Sequence, residues 1–162
     1  MKKIIYKPIG IIHSPFKEAK GTPIQPDAAK DIEGIIEVFS DYGNGLLDLT
    51  GFSHIIILFH CHLIKGYQLK VKPYMDDIEH GLFATRAPAR PNPIGLSVVE
   101  LIKIEKERLF VKGIDVIDGT PLLDIKPYVP EFDRRETIKI GWLENKIKKL
   151  AETKDDNRFI NS

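Results

Sequence analysis

Between Ala84 and Leu96 the chain reads Ala-Thr-Arg-Ala-Pro-Ala-Arg-Pro-Asn-Pro-Ile-Gly-Leu, and its three prolines, Pro88, Pro91 and Pro93, restrict what this region can become more than any other feature. Each proline fixes φ, removes a backbone donor and drives the preceding residue out of the α region, so no helix or central strand can run through the segment. The result is a stiff connector of nearly predetermined shape. Arg86 and Arg90 give it two rigid guanidinium forks suited to carboxylate or phosphate, and Asn92 adds a group that both donates and accepts. The segment reads as one wall of a pocket or, on the same residues, as a proline-rich turn with solvated arginines.

The segments around this connector are short and strand-like. Lys3 to His13 is β-branched with a kink expected at Pro8, and Gly34 to Phe39 is a second strand. Asp41 to Gly51 carries the residues of a single helical turn. Phe52 to Leu63 sorts His54, Ile56, Leu58, His60 and His62 onto one face and Ile55, Ile57, Phe59 and Cys61 onto the other, which predicts a central strand buried on both sides. Gly81 to Arg86 is expected to be a short strand leading into the connector. Leu96 to Ile104 and Leu109 to Ile117 form a hairpin turned at residues 105–108, and Asp118-Gly119-Thr120-Pro121 is a tight turn before a strand from Leu122 to Tyr128. Trp142 or Leu143, Ile147 and Leu150 stand at helical spacing, predicting one amphipathic helix over Ile138 to Ala151 followed by a frayed tail. Strands outnumber helices and follow one another directly, so the fold class is mainly all-β: an antiparallel barrel or rolled sheet. A doubly wound fold is excluded, because Gly43-Asn44-Gly45 lacks the third glycine of a dinucleotide fingerprint.

At 162 residues the chain is one domain's worth, long enough to bury about two thirds of its unfolded surface without staples. One cysteine, Cys61, excludes an internal disulfide framework, and no charged-then-apolar leader opens the chain, so a reducing cytoplasmic setting is expected. The apolar runs are too short to span a bilayer. A net charge of +1 lacks the footprint of non-specific nucleic-acid binding, so any RNA contact must be local.

His60-Cys61-His62 invites a metal reading. In a strand the cysteine points away from both histidines, and His54 lies about 20 Å from His60 along it, so a catalytic zinc would lack its three ligands. No metal is expected. The Asp118 to Pro121 turn can present a carboxylate, a hydroxyl and backbone amides to a ligand, or it can be a common hairpin turn. Asp124, Lys126 and Tyr128 alternate along the next strand as a polar stripe, whether toward a ligand or toward solvent.

These pieces in this order, from Ile9-Gly10-Ile11-Ile12-His13-Ser14-Pro15 through Gly21-Thr22-Pro23-Ile24-Gln25-Pro26, Gly51-Phe52-Ser53-His54-Ile55, Phe83 to Gly95 and Asp118 to Tyr128, resemble the TrmO family, also called YaeB or VirR. The resemblance covers approximately Ile4 to Asp133, with Ala87 where a serine is frequent. It divides the chain into a TrmO-like barrel over 1–137 and a C-terminal helix and polar tail over 138–162, the short form without the extra C-terminal domain of longer members. It implies an S-adenosylmethionine-dependent tRNA methyltransferase that acts as a homodimer on N6 of threonylcarbamoyladenosine beside the anticodon. The cofactor set it implies is Gln25, Pro26, Asp27, His62, Leu63, Arg86, Leu96, Asp118, Gly119, Thr120 and Pro121. His62 and Asp118 are the candidate bases, since the acceptor nitrogen must lose a proton. Arg90, Asn92, Lys126 and Tyr128 are the candidates for holding the tRNA anticodon loop or the threonyl carboxylate. Two other classes remain: a non-catalytic RNA-binding barrel, and a metal-dependent barrel enzyme using His60 and His62.

Overall fold

The computed structural model describes residues 3–24, 29–137 and 139–160, with side chains for all of these except 149–151. Its strands are β1 (Gly10–His13), β2 (Glu33–Val38), β3 (His54–His60), β4 (Lys70–Val71), β5 (His80–Gly81), β6 (Ile94–Glu105), β7 (Arg108–Lys112) and β8 (Thr120–Pro127). Six of them close an antiparallel barrel in the order β1-β2-β7-β6-β3-β8, with β8 returning to β1, and β4 and β5 pair separately. Closure leaves no barrel strand with an unpaired edge.

Alternation selects the interior. Ile12, Ile36, Val38, Ile55, Ile57, Val99, Leu101, Leu109, Val111 and Leu122 fill the barrel, joined by Ile114 and Val116 from the chain after β7. Most are β-branched, which suits the pleated wall. The expectation of a two-sided buried β3 is corrected here. Ile55 and Ile57 are fully buried, whereas Ile56 and Leu58 are half-buried and His54 is exposed, because a barrel wall has one dry face and one partly covered face.

Other boundaries shift for local reasons. Residues 3–8 are exposed and outside any strand; Ile9 makes the first bonds to the barrel, its amide donating to the Leu122 carbonyl and its carbonyl accepting from Phe39, and β1 begins at Gly10. The hairpin turn is tighter than expected, with Glu105 opposite Arg108 and Lys106 at φ 57°. β7 stops at Lys112 because Gly113 takes φ 83°. The expected Gly81 to Arg86 strand is only a two-residue bridge followed by a 3-10 turn over Leu82–Ala84, closed by Thr85, whose amide and hydroxyl both donate to the Leu82 carbonyl. Asp41 to Gly51 winds as two 3-10 segments, Ser40–Leu46 and Leu49–Gly51.

Gly10 pairs with Val38 across the β1–β2 seam, and a Cβ there would lie 2.3 Å from the Glu37 carbonyl oxygen and 3.1 Å from the Val38 Cα. Both obstacles are backbone and cannot swing aside. Gly10→Ala is expected to cost about 2–3 kcal/mol, the range of overpacking against fixed structure. Urea unfolding reads it as a lowered midpoint at constant slope, and an unshifted midpoint would mean that the seam opens freely.

The C-terminal region departs most from the sequence expectation. No single helix runs over Ile138 to Ala151; the chain makes 3-10 turns at Gly141–Leu143 and Ile147–Glu152, with Ile138 itself outside the described residues. Nor is the tail frayed. Phe159 is buried against Val71, Leu82, Ala87 and Ala89, its ring edge-on to Tyr74 at 5.0 Å. Gly21 donates to the Asp155 carbonyl (2.8 Å) and Asp155 donates back to Thr22 (2.9 Å). Arg158 donates to the Pro73 carbonyl (2.9 Å). Tertiary packing has overridden helical spacing: Trp142 and Leu143 are half-buried and, with the more exposed Ile147, line a cavity shared with the neighbouring loops.

Candidate functional site

At the barrel mouth, where β3 ends and β6 begins, lies a cavity of about 810 Å³. Small-molecule sites run from roughly 300 to 1,000 Å³. Six pieces of chain enclose it: the loop Ala19 to Ile24, the stretch Cys61 to Ile64 after β3, the loop Pro73 to Met75, the proline connector, the Asp115 to Ile117 segment after β7, and the C-terminal arm through Trp142, Leu143, Ile147, Asp155 and Phe159. Its floor is Phe59, whose ring lies over Gly95 of the neighbouring strand; a Cβ on Gly95 would be 2.1 Å from that ring.

The proline connector is held from within. Arg90 donates through Nη1 to the carbonyls of Thr85 (3.0 Å), Ala87 (3.3 Å) and Leu82 (3.5 Å), and its guanidinium sits 5.6 Å from the Phe83 ring centre. Trp142 Nε1 donates to the Ala84 carbonyl at 2.8 Å, and its ring stacks on His80 at 4.7 Å. The Asp76 carboxylate holds that side of the arm by accepting from His80 Nε2 (3.0 Å) and pairing with Lys146, and these bonds keep it well below the usual carboxylate range.

His62 lines the cavity with Nδ1 3.3 Å from the Thr120 hydroxyl. Burial, reinforced by nearby His60, holds its pKa below the ordinary value, so the imidazole is neutral at pH 7. Asp118 is engaged elsewhere. Its carboxylate accepts from Lys17 Nζ (2.8 Å) and the Ser14 amide (3.0 Å), with His13 Nδ1 at 3.7 Å, and chiefly the Lys17 bond keeps its pKa low. Burial pushes the Cys61 thiol up to about 11, which leaves it a poor nucleophile. The Tyr74 hydroxyl is buried facing Asp155 without a hydrogen bond of good geometry, and its pKa is pushed up mainly by that burial.

Of the residues expected around a cofactor, His62, Leu63, Arg86, Leu96 and Thr120 line this cavity. Asp118, Gly119 and Pro121 do not, because the turn that carries them faces β1 and residues 14–17: Gly119 donates to the Ile12 carbonyl and Asp118 to the Phe16 carbonyl. Gln25, Pro26 and Asp27 lie outside the described residues, next to Thr22, Pro23 and Ile24, which do line the cavity. The set expected to hold RNA is dispersed. Arg90 lines the cavity, while Asn92 is exposed with its carbonyl accepting from Ile94 (2.8 Å). Lys126 pairs with Asp124 (2.7 Å), and Tyr128 packs edge-on to His54. Tyr128 is about 25 Å along the strand from Thr120, so one subunit's cavity cannot gather them all. Alternation predicted a shared face correctly but said nothing about which end of the barrel holds the cavity. The stripe is a solvent-side ion pair and an aromatic contact.

Asp115 escaped sequence reasoning. It lines the cavity, accepts a 2.7 Å hydrogen bond from Ser97 Oγ and is surrounded by protein atoms, though the cavity itself still wets it partly. Burial raises its pKa to about 6 against the opposing pull of Ser97 and Arg86. The available signal was a single acid inside the apolar run Ile114 to Ile117. Among the described residues no group of three or more His, Cys, Asp or Glu is arranged to hold a metal ion.

The model of the tRNA-methyltransferase O N-terminal domain matches residues 11–134. A probable S-adenosyl-L-methionine-binding protein of Pyrococcus abyssi is 59% identical over 157 residues, covering 97% of this chain and 85% of that protein. An S-adenosyl-L-methionine-binding protein of Archaeoglobus fulgidus is 42% identical over 130 residues, 80% of this chain and 93% of that one. A mouse tRNA (adenine(37)-N6)-methyltransferase is 35% identical over 92% of this chain but only 36% of its own length. The crystal structure of TrmO from Pseudomonas aeruginosa superposes with a TM-score of 0.72 at 38% identity, covering 87% of this chain and 63% of that one. The present chain therefore spans under two thirds of that solved relative. With a matched domain that contains all of the barrel but the first residue of β1, the proline connector and most of the cavity wall, the chain belongs to the tRNA-methyltransferase O family.

Proposed function

We propose that the protein is an S-adenosylmethionine-dependent tRNA methyltransferase, that its acceptor is N6 of threonylcarbamoyladenosine beside the anticodon, and that it works as a cytoplasmic homodimer. The carrying observation is the cavity at the barrel mouth, whose volume and lining fit the cofactor. Phe59, Ile94, Leu96 and Trp142 offer apolar and aromatic surface to an adenine, Arg86 offers a fork to a carboxylate, and Asp115 offers an anion to a cation. When bound, S-adenosylmethionine supplies an electrophilic methyl group on a positively charged sulfur. The chain's own part is to position the two substrates and exclude water, which the C-terminal arm over the cavity favours.

The acceptor nitrogen has a delocalised lone pair and must lose its proton. His62 suits that task, because a neutral imidazole in the cavity wall can accept a proton and Thr120 orients its ring. Asp118 suits it less, being ion-paired and a weak base. His62→Gln is expected to lower kcat by about 10²- to 10⁴-fold, the usual contribution of a positioned base, with cofactor affinity nearly unchanged, whereas Asp118→Asn keeps turnover. Single-turnover kinetics with tRNA carrying threonylcarbamoyladenosine decides between them; full activity in the His62 variant removes it from the mechanism. The function itself is tested by calorimetric titration with S-adenosylmethionine and by mass spectrometry of tRNA nucleosides from cells lacking the gene. An unmethylated threonylcarbamoyladenosine supports the reading, and normal nucleosides would sink it. Equilibrium sedimentation tests the dimer.

A further inference from the structure

We propose that Asp115 is the anionic contact for a positively charged centre of S-adenosylmethionine, its sulfonium or its α-ammonium group, and that this contact distinguishes cationic ligands from neutral ones of similar shape. The proposal rests on the cofactor reading above and goes beyond it by assigning a residue and a selectivity.

The argument starts from placement. Asp115 is a carboxylate in the wall of the cavity, held by Ser97 Oγ at 2.7 Å, with the Arg86 guanidinium and the Cys61 thiol close enough to interact with its charge. Keeping a carboxylate in such surroundings disfavours its charged form, and Ser97, a backbone amide and the Arg86 guanidinium together offset only part of that. The sequence nevertheless keeps an ionisable acid where an amide or an alcohol would complete the same hydrogen bond. A cationic ligand gives the charge a use, since attraction between opposite charges strengthens as water leaves the cavity. The charged and titratable groups that share the cavity with Asp115 are Arg86 and Arg90 from the proline connector, Cys61 and His62 just after β3, and Tyr74 and Asp155; Arg86 and Cys61 interact with it electrostatically. Guanidinium and carboxylate in one cavity are complementary to the two charged ends of an amino acid.

A stability argument accompanies the binding one. Its pKa is raised in the folded state to about 6, so the folded protein holds the Asp115 proton more tightly than the unfolded chain. The charged form therefore weakens the empty protein above about pH 6, and the penalty fades as pH falls toward the ordinary carboxylate range.

Asp115→Asn keeps the shape and the Ser97 contact and removes the charge. Calorimetry at pH 7.5 is expected to show at least about tenfold weaker S-adenosylmethionine binding, the effect of losing one charged contact, with 5′-methylthioadenosine, which carries neither cation, unchanged within about twofold. S-adenosylhomocysteine decides the source: equal weakening assigns the ammonium, and no weakening assigns the sulfonium. Wild-type affinity for S-adenosylmethionine is expected to fall about tenfold from pH 7.5 to pH 5 as Asp115 takes up its proton, with a flatter profile in the variant. The variant's thermal midpoint should equal or exceed the wild type's at pH 7.5 and match it near pH 4. A variant that binds S-adenosylmethionine as tightly as the wild type, or loses methylthioadenosine in the same proportion, overturns the proposal alone. A wild type that binds none of the three ligands overturns the cofactor assignment together with it.

Discussion

Replacing Phe159 by alanine is expected to release the C-terminal arm while the barrel stays folded. The ring is buried among Val71, Leu82, Ala87 and Ala89 and meets Tyr74 edge-on, so truncation removes its contacts and leaves a cavity that small neighbours cannot refill. Buried phenylalanine truncations cost about 3–5 kcal/mol. The arm's other anchors are hydrogen bonds and ion pairs: Trp142 to Ala84, Lys146 to the buried Asp76, Arg158 to Pro73, and the backbone exchange of Asp155 with Gly21 and Thr22. A hydrogen bond nets about 1 kcal/mol, and none of these contacts refills the space that the ring leaves. Hydrogen exchange should show residues 139–160 losing protection while β3, β6 and β8 keep theirs, and trypsin should cut at Lys146 and Lys148 in the variant only. Unchanged protection across the arm would mean that its docking does not depend on this ring. Because Trp142, Leu143 and Ile147 belong to the cavity wall, ligand affinity should fall in parallel.

Gly95→Ala is expected to abolish cofactor binding at a modest cost to the fold. The added methyl would stand 2.1 Å from the Phe59 ring, which must turn away. The barrel interior on one side of that ring is packed, with Phe59 resting against Ile57 and its neighbours, so the open direction is the cavity. A ring swung into the cavity occupies the space proposed above for the adenosine. Affinity should fall by about 100-fold or more, while stability drops by about 1–3 kcal/mol as in other overpacked sites. The Phe59→Leu, Gly95→Ala double variant removes the offending ring and should restore most of the binding. If the single variant binds normally, the ring has another way to move and Phe59 is not the floor.

The two glycines that matter most, Gly10 and Gly95, are recognisable only in three dimensions, because what they avoid is a neighbouring strand rather than a backbone angle. The strands themselves were legible: the periodicity of Ile55, Ile57 and Phe59 and the hairpin at residues 105–108 survive with small boundary shifts. So was the role of the proline connector as a wall, since its rigidity is a property of the local chain. Arg90 was legible as important and misread in kind. A guanidinium fork fits backbone carbonyls as well as carboxylates, and nothing in the sequence reveals that three carbonyls of its own connector lie in reach. The arm after residue 138 was the least legible part. Its apolar residues fit a helix on spacing, but the surface they meet is assembled by residues 61–93, far away in sequence. Phe159 and Ile160 are the only apolar residues after Ala151, and a polar run with one such pair reads on composition as a solvated tail.

The chain leaves the barrel at His60 and returns to it at Ile94, and those two residues are cross-strand partners, with the Cys61 amide donating to the Pro93 carbonyl just beyond them. Everything from 61 to 93 thus hangs from a gate one residue pair wide. Doubling such a loop would add only about 0.6 kcal/mol of closure entropy. The scaffold therefore accommodates a change in the length of this excursion without moving a stave, and the cavity wall that it carries can vary while the six-strand frame keeps its register.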